Sequence, residues 1–337
     1  MSDAFVELKN LTLSYDNSVA VPALDLAINE GELITLLGPS GCGKTTTMRA
    51  IAGLLSPTSG IIHIDGRDVT RVPANKRGIG LVFQSYALFP HLNAFENVAF
   101  GLRLQKLPDA DIRSRTAEGL ETVGLAGFDK RRPSEMSGGQ QQRLALARSL
   151  VMRPKVLLLD EPLSNLDARL RLEMRTELQR VQKETGVTMV FVTHDQAEAL
   201  ALADRIVLMK AGRIEQLGTP AELYSRPRTA FAADFMGFEN IFHTSGDTLV
   251  SSFGRLPVGY TAPSALLAWR PDAVTVGTGP HTGTITASSF AGGHREYVLQ
   301  TPLGPLRADA PIAVAQVPIG QQISFDLPHQ NARALAE

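Results

Sequence analysis

The sequence predicts an α/β domain built on a mostly parallel sheet, followed by a smaller all-β domain. Three observations carry that prediction. Over the first two-thirds of the chain, short apolar runs alternate with amphipathic stretches, the pattern of strand–helix–strand units. A glycine-rich segment, GPSGCGKTT at 38–46, joins one such run to a helical stretch. Near residue 236 the helical periodicity fades, and short β-like runs punctuated by Gly and Pro take over.

Each element follows in order. ELITLLGPS reads as a buried strand entering a turn, and KTTTMRAIAGLL as a helix stopped by SPTSG. IGLVFQ is a strand, and residues 108–123 and 140–152 read as helices. Pro154 introduces KVLLLDEP, a strand ending in two carboxylates. DARLRLEMRTELQRVQKETG is amphipathic, with Leu170, Met174, Leu178 and Val181 at helical spacing and its arginines on a solvated face. VTMVFVTHD and RIVLMKAGRI read as further strands. Beyond DFMGFENIF come SALLAWRPD, HTGTITASSF, REYVLQT and QQISFDL, the strands of a barrel or sandwich.

Bulk properties narrow the function. A chain of 337 residues fits about two domains. Net charge is −1, so no global field draws in nucleic acid or an anionic membrane. A single cysteine, Cys42, excludes an intramolecular disulfide and points to a reducing compartment. The N-terminal stretch MSDAFVELKN is too polar for a signal peptide, and runs such as VLLLD are too short to span a bilayer. The chain reads as soluble, so any membrane work needs a partner carrying the spanning helices.

The chemistry concentrates in a few motifs. Gly38, Gly41, Gly43, Lys44 and Thr45 fit G-x-x-x-x-G-K-[ST], with Pro39, Ser40, Cys42 and Thr46 filling out the loop and helix start. Glycines let backbone N–H groups wrap phosphates, and the helix N-terminus adds its positive end. Lys44 reaches the β- and γ-phosphates, and Thr45 ligates Mg²⁺. Asp160 closes an apolar strand where a carboxylate can hold Mg²⁺ through water, and Glu161 beside it can deprotonate an attacking water. Without the phosphate loop upstream, the two would read as a solvent-facing charge pair. His194 and Gln84 end strands at the sheet edge where α/β proteins bind ligands. A lone histidine is usually structural, but here it can contact the γ-phosphate, and the Gln84 amide can touch both metal and water. Tyr15 is either a base-stacking aromatic or an ordinary sheet residue. Cys42, next to a helix N-terminus, reads either as a thiol of lowered pKa that nucleotide shields or as a small residue tolerated in the loop.

SEMSGGQQQR poses a separate question, because Ser137, Gly138, Gly139 and Gln140 open a helix as a second anion cradle in a chain that already has one. It is either a Gly-rich helix cap or a clamp over the phosphate bound by a second copy of the chain.

Taken together these residues resemble the ATP-binding subunits of ABC transporters, over about residues 4–240. GPSGCGKTT is similar to Walker A, and VLLLDE to Walker B with its catalytic glutamate. MSGGQ is similar to the family signature, with Met136 where Leu is usual. Gln84 matches the Q-loop glutamine, His194 the switch histidine and Tyr15 the adenine-stacking aromatic. SNLD, ending at Asp167, is similar to the D-loop, with Asn165 where Ala is commoner. The resemblance implies a P-loop ATPase core over 1–236 with a helical subdomain at about 85–152. An OB-like β-barrel regulatory domain follows over 237–337. It implies ATP and Mg²⁺ as cofactors, with the signature loop binding ATP in trans across a head-to-tail homodimer. Catalytic roles fall to Glu161, His194 and Gln84, and metal contacts to Thr45, Gln84 and Asp160.

The segment QSYALFPHLNAFENVAFGL resembles that of bacterial importers, and the tail resembles the β-domain of sugar, polyamine, ferric-iron and phosphonate importer ATPases. AWRPD is similar to that domain's RPE motif, with Trp269 unusual at that point. The implied partners are a membrane permease and, indirectly, a solute-binding protein. The implied location is peripheral, on the cytoplasmic face of the cell membrane. Among cargoes the reading favours a small, polyamine-like solute over ferric iron, phosphonate or sugar. A nucleic-acid-linked ATPase is disfavoured by the single cassette and neutral charge, and a GTPase or kinase by the signature loop. An exporter is disfavoured by the tail.

Overall fold

The computed structural model describes residues 4–15, 18–314 and 316–336. The first residues of the polar N-terminal stretch, and two residues after Tyr15, lie outside them. The chain divides into two compact units between Pro220 and Ala221.

The first unit holds strands β1 (Val6–Tyr15), β2 (Ser18–Ile28) and β3 (Leu33–Leu37), then helix α1 (Lys44–Ala52) and strands β4 (Ser59–Ile64), β5 (Arg67–Asp68) and β6 (Ile79–Val82). Helices α2 (Ala94–Leu104), α3 (Asp109–Thr122) and α4 (Gly138–Leu150) follow, then β7 (Val156–Asp160), α5 (Ala168–Thr185) and β8 (Thr188–Thr193). The unit closes with α6 (Gln196–Leu202), β9 (Arg205–Lys210) and β10 (Arg213–Gly218). The larger sheet runs β10-β9-β3-β8-β7-β6, parallel except at β9–β10. The stretch read as one strand, RIVLMKAGRI, is therefore a hairpin. Ala211 and Gly212 make its turn with positive φ (46° and 78°), which breaks the run. A second sheet, β2-β1-β4-β5, is antiparallel, a layer the expectation of one mostly parallel sheet did not separate.

The parallel strands are mostly apolar because their central residues are covered on both faces. Successive side chains point to opposite sides. Leu157, Leu159, Met189 and Phe191 join a core with the helices α2–α5, whereas Val156, Leu158, Val190 and Val192 join one with α1 and the antiparallel sheet. The α2–α4 group begins at Ala94 because Asn93 caps it, its side chain accepting from the Glu96 amide at 2.8 Å. No described helix is long and apolar enough to cross a membrane.

Among its described residues the second unit is mostly β, with two short α-helices, α7 (Pro220–Ser225, whose first residue closes the first unit) and α8 (Ala230–Phe235), and two single 3₁₀ turns. Strands β11 (Asn240–Ser245), β12 (Thr248–Val250), β13 (Arg255–Pro257), β14 (Leu266–Trp269) and β19 (Arg333–Leu335) form one sheet. Strands β15 (Thr275–Phe290), β16 (His294–Thr301), β17 (Gly304–Pro311) and β18 (Gln322–Asp326) form the other. Both contribute to one core around Trp269, Tyr297 and Phe325. The unusual Trp269 is fully buried, and its indole N–H donates to the Pro328 carbonyl at 3.0 Å. Arg270 of AWRPD lies over Tyr224 (3.8 Å) and Phe238 (4.3 Å). The division precedes the change of texture at 236 because α8 packs by Ala233 against Leu266 and Leu335 of this unit.

Candidate functional site

The C-terminal ends of the parallel strands meet along one edge. Leu37 pairs with Thr193, and Asp160 with Val192, so the loops leaving β3, β7 and β8 start side by side. The β3 loop carries GPSGCGKTT. Its glycines serve different needs. Gly38 (φ 151°) has no room for a side chain, because a Cβ there would sit 2.4 Å from the Met209 carbonyl oxygen. Gly43 (φ 101°) caps α1 in the left-handed region and would strike Val21. A methyl at Gly41 (φ 79°) would meet nothing within 4 Å, so this side of the loop borders open space.

Lys44 is buried, and its Nζ donates to the carbonyls of Gly38 (2.7 Å) and Pro39 (2.9 Å), which fixes the ammonium inside the loop. The Thr45 hydroxyl donates to Asp160 Oδ1 at 3.1 Å, joining motifs 115 residues apart. Burial pushes the Asp160 carboxyl above its usual range, against the pull of the Thr45 hydrogen bond, Arg49 and Lys44. A hydroxyl beside a desolvated carboxylate suits Mg²⁺, which takes few protein oxygens and completes its shell with phosphate and water. Among the described residues no cluster of three His, Cys, Asp or Glu side chains offers a self-sufficient metal site.

Glu161 follows in a left-handed conformation (φ 42°), costly for a residue with a Cβ. Its amide donates to the Val192 carbonyl at 3.0 Å, which ties the strained residue to the adjacent strand. The result aims its carboxylate at His194, whose Nδ1 lies 3.3 Å from Oε2. His194 is the first residue past β8. Behind it, Asp195 caps α6, and the Thr193 hydroxyl donates to buried Glu198 at 2.6 Å. Gln84 lies two residues past β6, in a turn rather than at the strand end. Its side-chain amide donates to Ser164 Oγ (3.2 Å), and its carbonyl accepts from Asn165 Nδ2 (2.8 Å). The Ser164 hydroxyl in turn donates to the Glu161 carbonyl at 2.9 Å. Gln84, Glu161 and His194 thus belong to one connected group.

Tyr15 ends β1 half exposed. Ser137 caps α4 in a reciprocal box: its amide donates to Gln140 Oε1 (3.0 Å), and its Oγ accepts from the Gln140 amide (3.4 Å). A Cβ at Gly138 or Gly139 would make ordinary contact with Leu166 (3.5 Å) or Leu170 (3.4 Å), so packing within the chain leaves room for a side chain at both. Asp167 caps α5, accepting from the amides of Arg169 and Leu170 at 3.0 Å. The capping role therefore exists at both positions, whatever else they contact.

Of the two readings of Cys42, the structure supports the small residue packed in the loop and not the thiol of lowered pKa. The side chain is 3% exposed, and burial pushes its pKa up, outweighing the nearby Lys44. Ser164 and Arg148 were both absent from the expected site: Ser164 Oγ accepts from the Gln84 side-chain amide, and Arg148 donates to the carbonyls of Tyr86 and Ala87 just beyond it. Ser164 was legible only as the residue opening SNLD, and Arg148 had no signal in the pattern of α4.

A phosphate loop, a hydroxyl–carboxylate pair beside it and a carboxylate–imidazole pair at the next strand define a nucleotide-hydrolysing site of the P-loop class. The ABC transporter family model matches residues 21–164. The chain is 48% identical to the Fe(3+) ions import ATP-binding protein FbpC of Brucella abortus, over 95% of this chain and 94% of that one. It is 50% identical to the protein of the same name from Agrobacterium fabrum, over 89% of each. It is 61% identical to the spermidine/putrescine import ATP-binding protein PotA of Acidothermus cellulolyticus, over 66% of this chain and 58% of that one. Among solved structures, cbiO1 of Clostridium perfringens, part of an ABC transporter complex, superposes with TM-score 0.63 at 33% identity, over 67% of this chain and 92% of that one. A dimeric ATP-binding cassette holding ADP and Pi superposes with TM-score 0.57 at 34% identity, over 64% of this chain and 98% of that one. The chain belongs to the ABC transporter family, as an ATP-binding subunit of the importer type, and is an ATPase.

Proposed function

We propose that two copies of this chain bind two ATP molecules between them and that hydrolysis drives uptake of ferric iron through a membrane permease. The observation that carries the hydrolytic part is the Glu161–His194 pair at 3.3 Å, one residue past the Asp160–Thr45 pair at 3.1 Å. Backbone amides at Gly41 and Gly43, with the α1 N-terminus, cradle the phosphates, and Lys44 turns from the loop carbonyls toward the β- and γ-oxygens. Thr45 and Asp160 would hold Mg²⁺, which would supply charge neutralisation for the transferred phosphate. Glu161 accepts the proton of the attacking water. His194 orients Glu161 and senses the γ-phosphate, and Gln84 positions the same water. Tyr15 stacks on the base. Ser137, Gly138, Gly139 and Gln140 close over the partner copy's phosphate, with Asp167 at the same seam. When the γ-phosphate leaves, these contacts lapse and the dimer opens, so the energy passed on is the difference in nucleotide contacts between the two states.

For the cargo, the relatives named for Fe(3+) import align along 89% to 95% of this chain, taking in the C-terminal unit, while the polyamine-named relative aligns over 66%. The higher identity of that shorter match, 61%, favours a second reading, a polyamine. The permease partner, the peripheral membrane location and a solute-binding protein outside the cell belong to the same proposal.

The first experiment is the solution mass of Glu161→Gln with and without MgATP. A shift from monomer to dimer on MgATP, abolished by Ser137→Arg, supports the trans site. A mass that ignores ATP while nucleotide still binds rejects it. Uptake of labelled ferric iron and of labelled spermidine in a strain lacking this chain decides between cargoes.

A further inference from the structure

Two adjacent residues of the segment after β6, Tyr86 and Ala87, have φ of 62° and 48°. L-residues reach this region singly and at a cost, and neither tyrosine nor alanine has a polar side chain that offsets it locally. Something outside the turn must hold it. The Tyr86 amide donates to the Phe83 carbonyl at 2.8 Å, which closes a turn but does not select its hand. The Tyr86 side chain packs into the core with α2–α5, and the backbone carbonyls of the turn are held by Arg148. Its two terminal nitrogens donate to the carbonyls of Tyr86 (2.9 Å) and Ala87 (2.7 Å), and its guanidinium lies 5.5 Å from the Phe89 ring centroid. A planar fork can serve two adjacent carbonyls at once, whereas a lysine ammonium presents a single point.

The same segment is fastened at both ends. Asn165 holds the Gln84 carbonyl at 2.8 Å, and Asn97 accepts from the Phe89 amide at 2.9 Å. Arg148 is the anchor on α4, the helix that Ser137 caps. Ten residues separate Gly138 from Arg148, about 15 Å along a continuous helix. A displacement at the Ser137 end therefore reaches Tyr86 and Ala87, and through them Gln84, without a flexible joint between.

We propose that Arg148 is a positioning residue that holds the left-handed turn at Tyr86–Ala87 and so relays contact at Ser137 to Gln84. This rests on the ATPase reading above. In the proposed dimer, Ser137 of one copy faces the partner's ATP while its own Gln84 faces its own ATP, so one side chain links the two sites.

The test uses the full chain and four proteins: wild type, Arg148→Met, Ala87→Gly, and the double variant. Phosphate release gives kcat and KM, and hydrogen exchange follows the 84–88 peptide. Arg148→Met is expected to lower kcat about tenfold while KM stays within about twofold, because the phosphate loop is untouched. Exchange should rise at 84–88 and not in the β3–α1 region. Ala87→Gly alone should hold wild-type kcat. In the double variant, glycine removes the cost of the left-handed position, so kcat should recover by about threefold or more. Unchanged exchange at 84–88 in Arg148→Met overturns the proposal. So does a kcat loss that Ala87→Gly does not relieve, or one accompanied by raised exchange throughout the unit. If wild-type hydrolysis is absent or indifferent to Glu161→Gln, the ATPase reading has failed instead, and the exchange data show whether the turn depends on Arg148.

Discussion

His194 Nδ1 lies 3.3 Å from Glu161 Oε2, although 33 positions separate the two residues in the chain. Each stands immediately past a strand, and β7 and β8 pair so that Asp160 faces Val192. If the pair acts as a unit, His194→Ala should lower kcat about 100-fold while leaving ATP binding intact, and Glu161→Gln should lower it at least as far. The double variant should fall no more than about threefold below Glu161→Gln alone, because the larger part of what His194 does in the chemical step is to orient that base. Additive losses, read from phosphate release, would mean independent roles.

Gly38 and Gly41 should respond differently to alanine. Gly38→Ala places a methyl 2.4 Å from the Met209 carbonyl oxygen and 2.8 Å from Cys42 Sγ, so the loop must move and the protein should lose both stability and nucleotide binding. Gly41→Ala meets no atom, and its positive φ costs about 1 kcal/mol. That variant should fold with a slightly lowered Tm yet bind ATP weakly, because the methyl enters the space the phosphates need. Thermal melts and nucleotide titrations on both variants separate the two roles.

Asp160 offers a pH test. Its carboxyl pKa is raised in the fold, chiefly by burial. A raised carboxyl costs stability wherever it is ionised. That cost is full above the folded pKa and vanishes below the unfolded one, near about 3.9. Asp160→Asn should therefore raise the Tm of the nucleotide-free protein at pH 8, with the gain shrinking as pH falls through the carboxylate range. Hydrolysis should be lost at every pH. A variant less stable than wild type at pH 8 would show that the Thr45 hydrogen bond outweighs burial.

Cys42 is buried, and its thiol pKa is raised. A thiol reagent should label it slowly with or without MgATP, and quickly in urea. Rapid labelling of the folded protein would contradict the packing of this loop.

Much of the site is legible in the sequence because its requirements are local. The phosphate loop needs glycines at fixed offsets followed by a lysine and a hydroxyl, and GPSGCGKTT displays them in one run. Ser137 and Gln140 form their box across three residues, so the start of α4 is written beside itself. The apolar runs ending at Leu37, Asp160 and Thr193 mark buried strands, because strands covered on both faces carry no polar alternation.

The tertiary structure decided what depends on which chain segments become neighbours. Sheet order brings Glu161 to His194 and lets Asn165 and Ser164 hold Gln84 from some 80 residues away. Burial decided between the two readings of Cys42, since the helix N-terminus next to it is local but the desolvating walls are not. The hand of Tyr86 and Ala87 is the clearest case. Their residue types oppose it, and long-range contacts hold it: Arg148, more than 60 residues away, donates to both carbonyls, and the Tyr86 side chain is buried in the core. Residue types and short spacings thus determined the chemistry this chain carries, and long-range packing determined which of those groups meet and in what geometry.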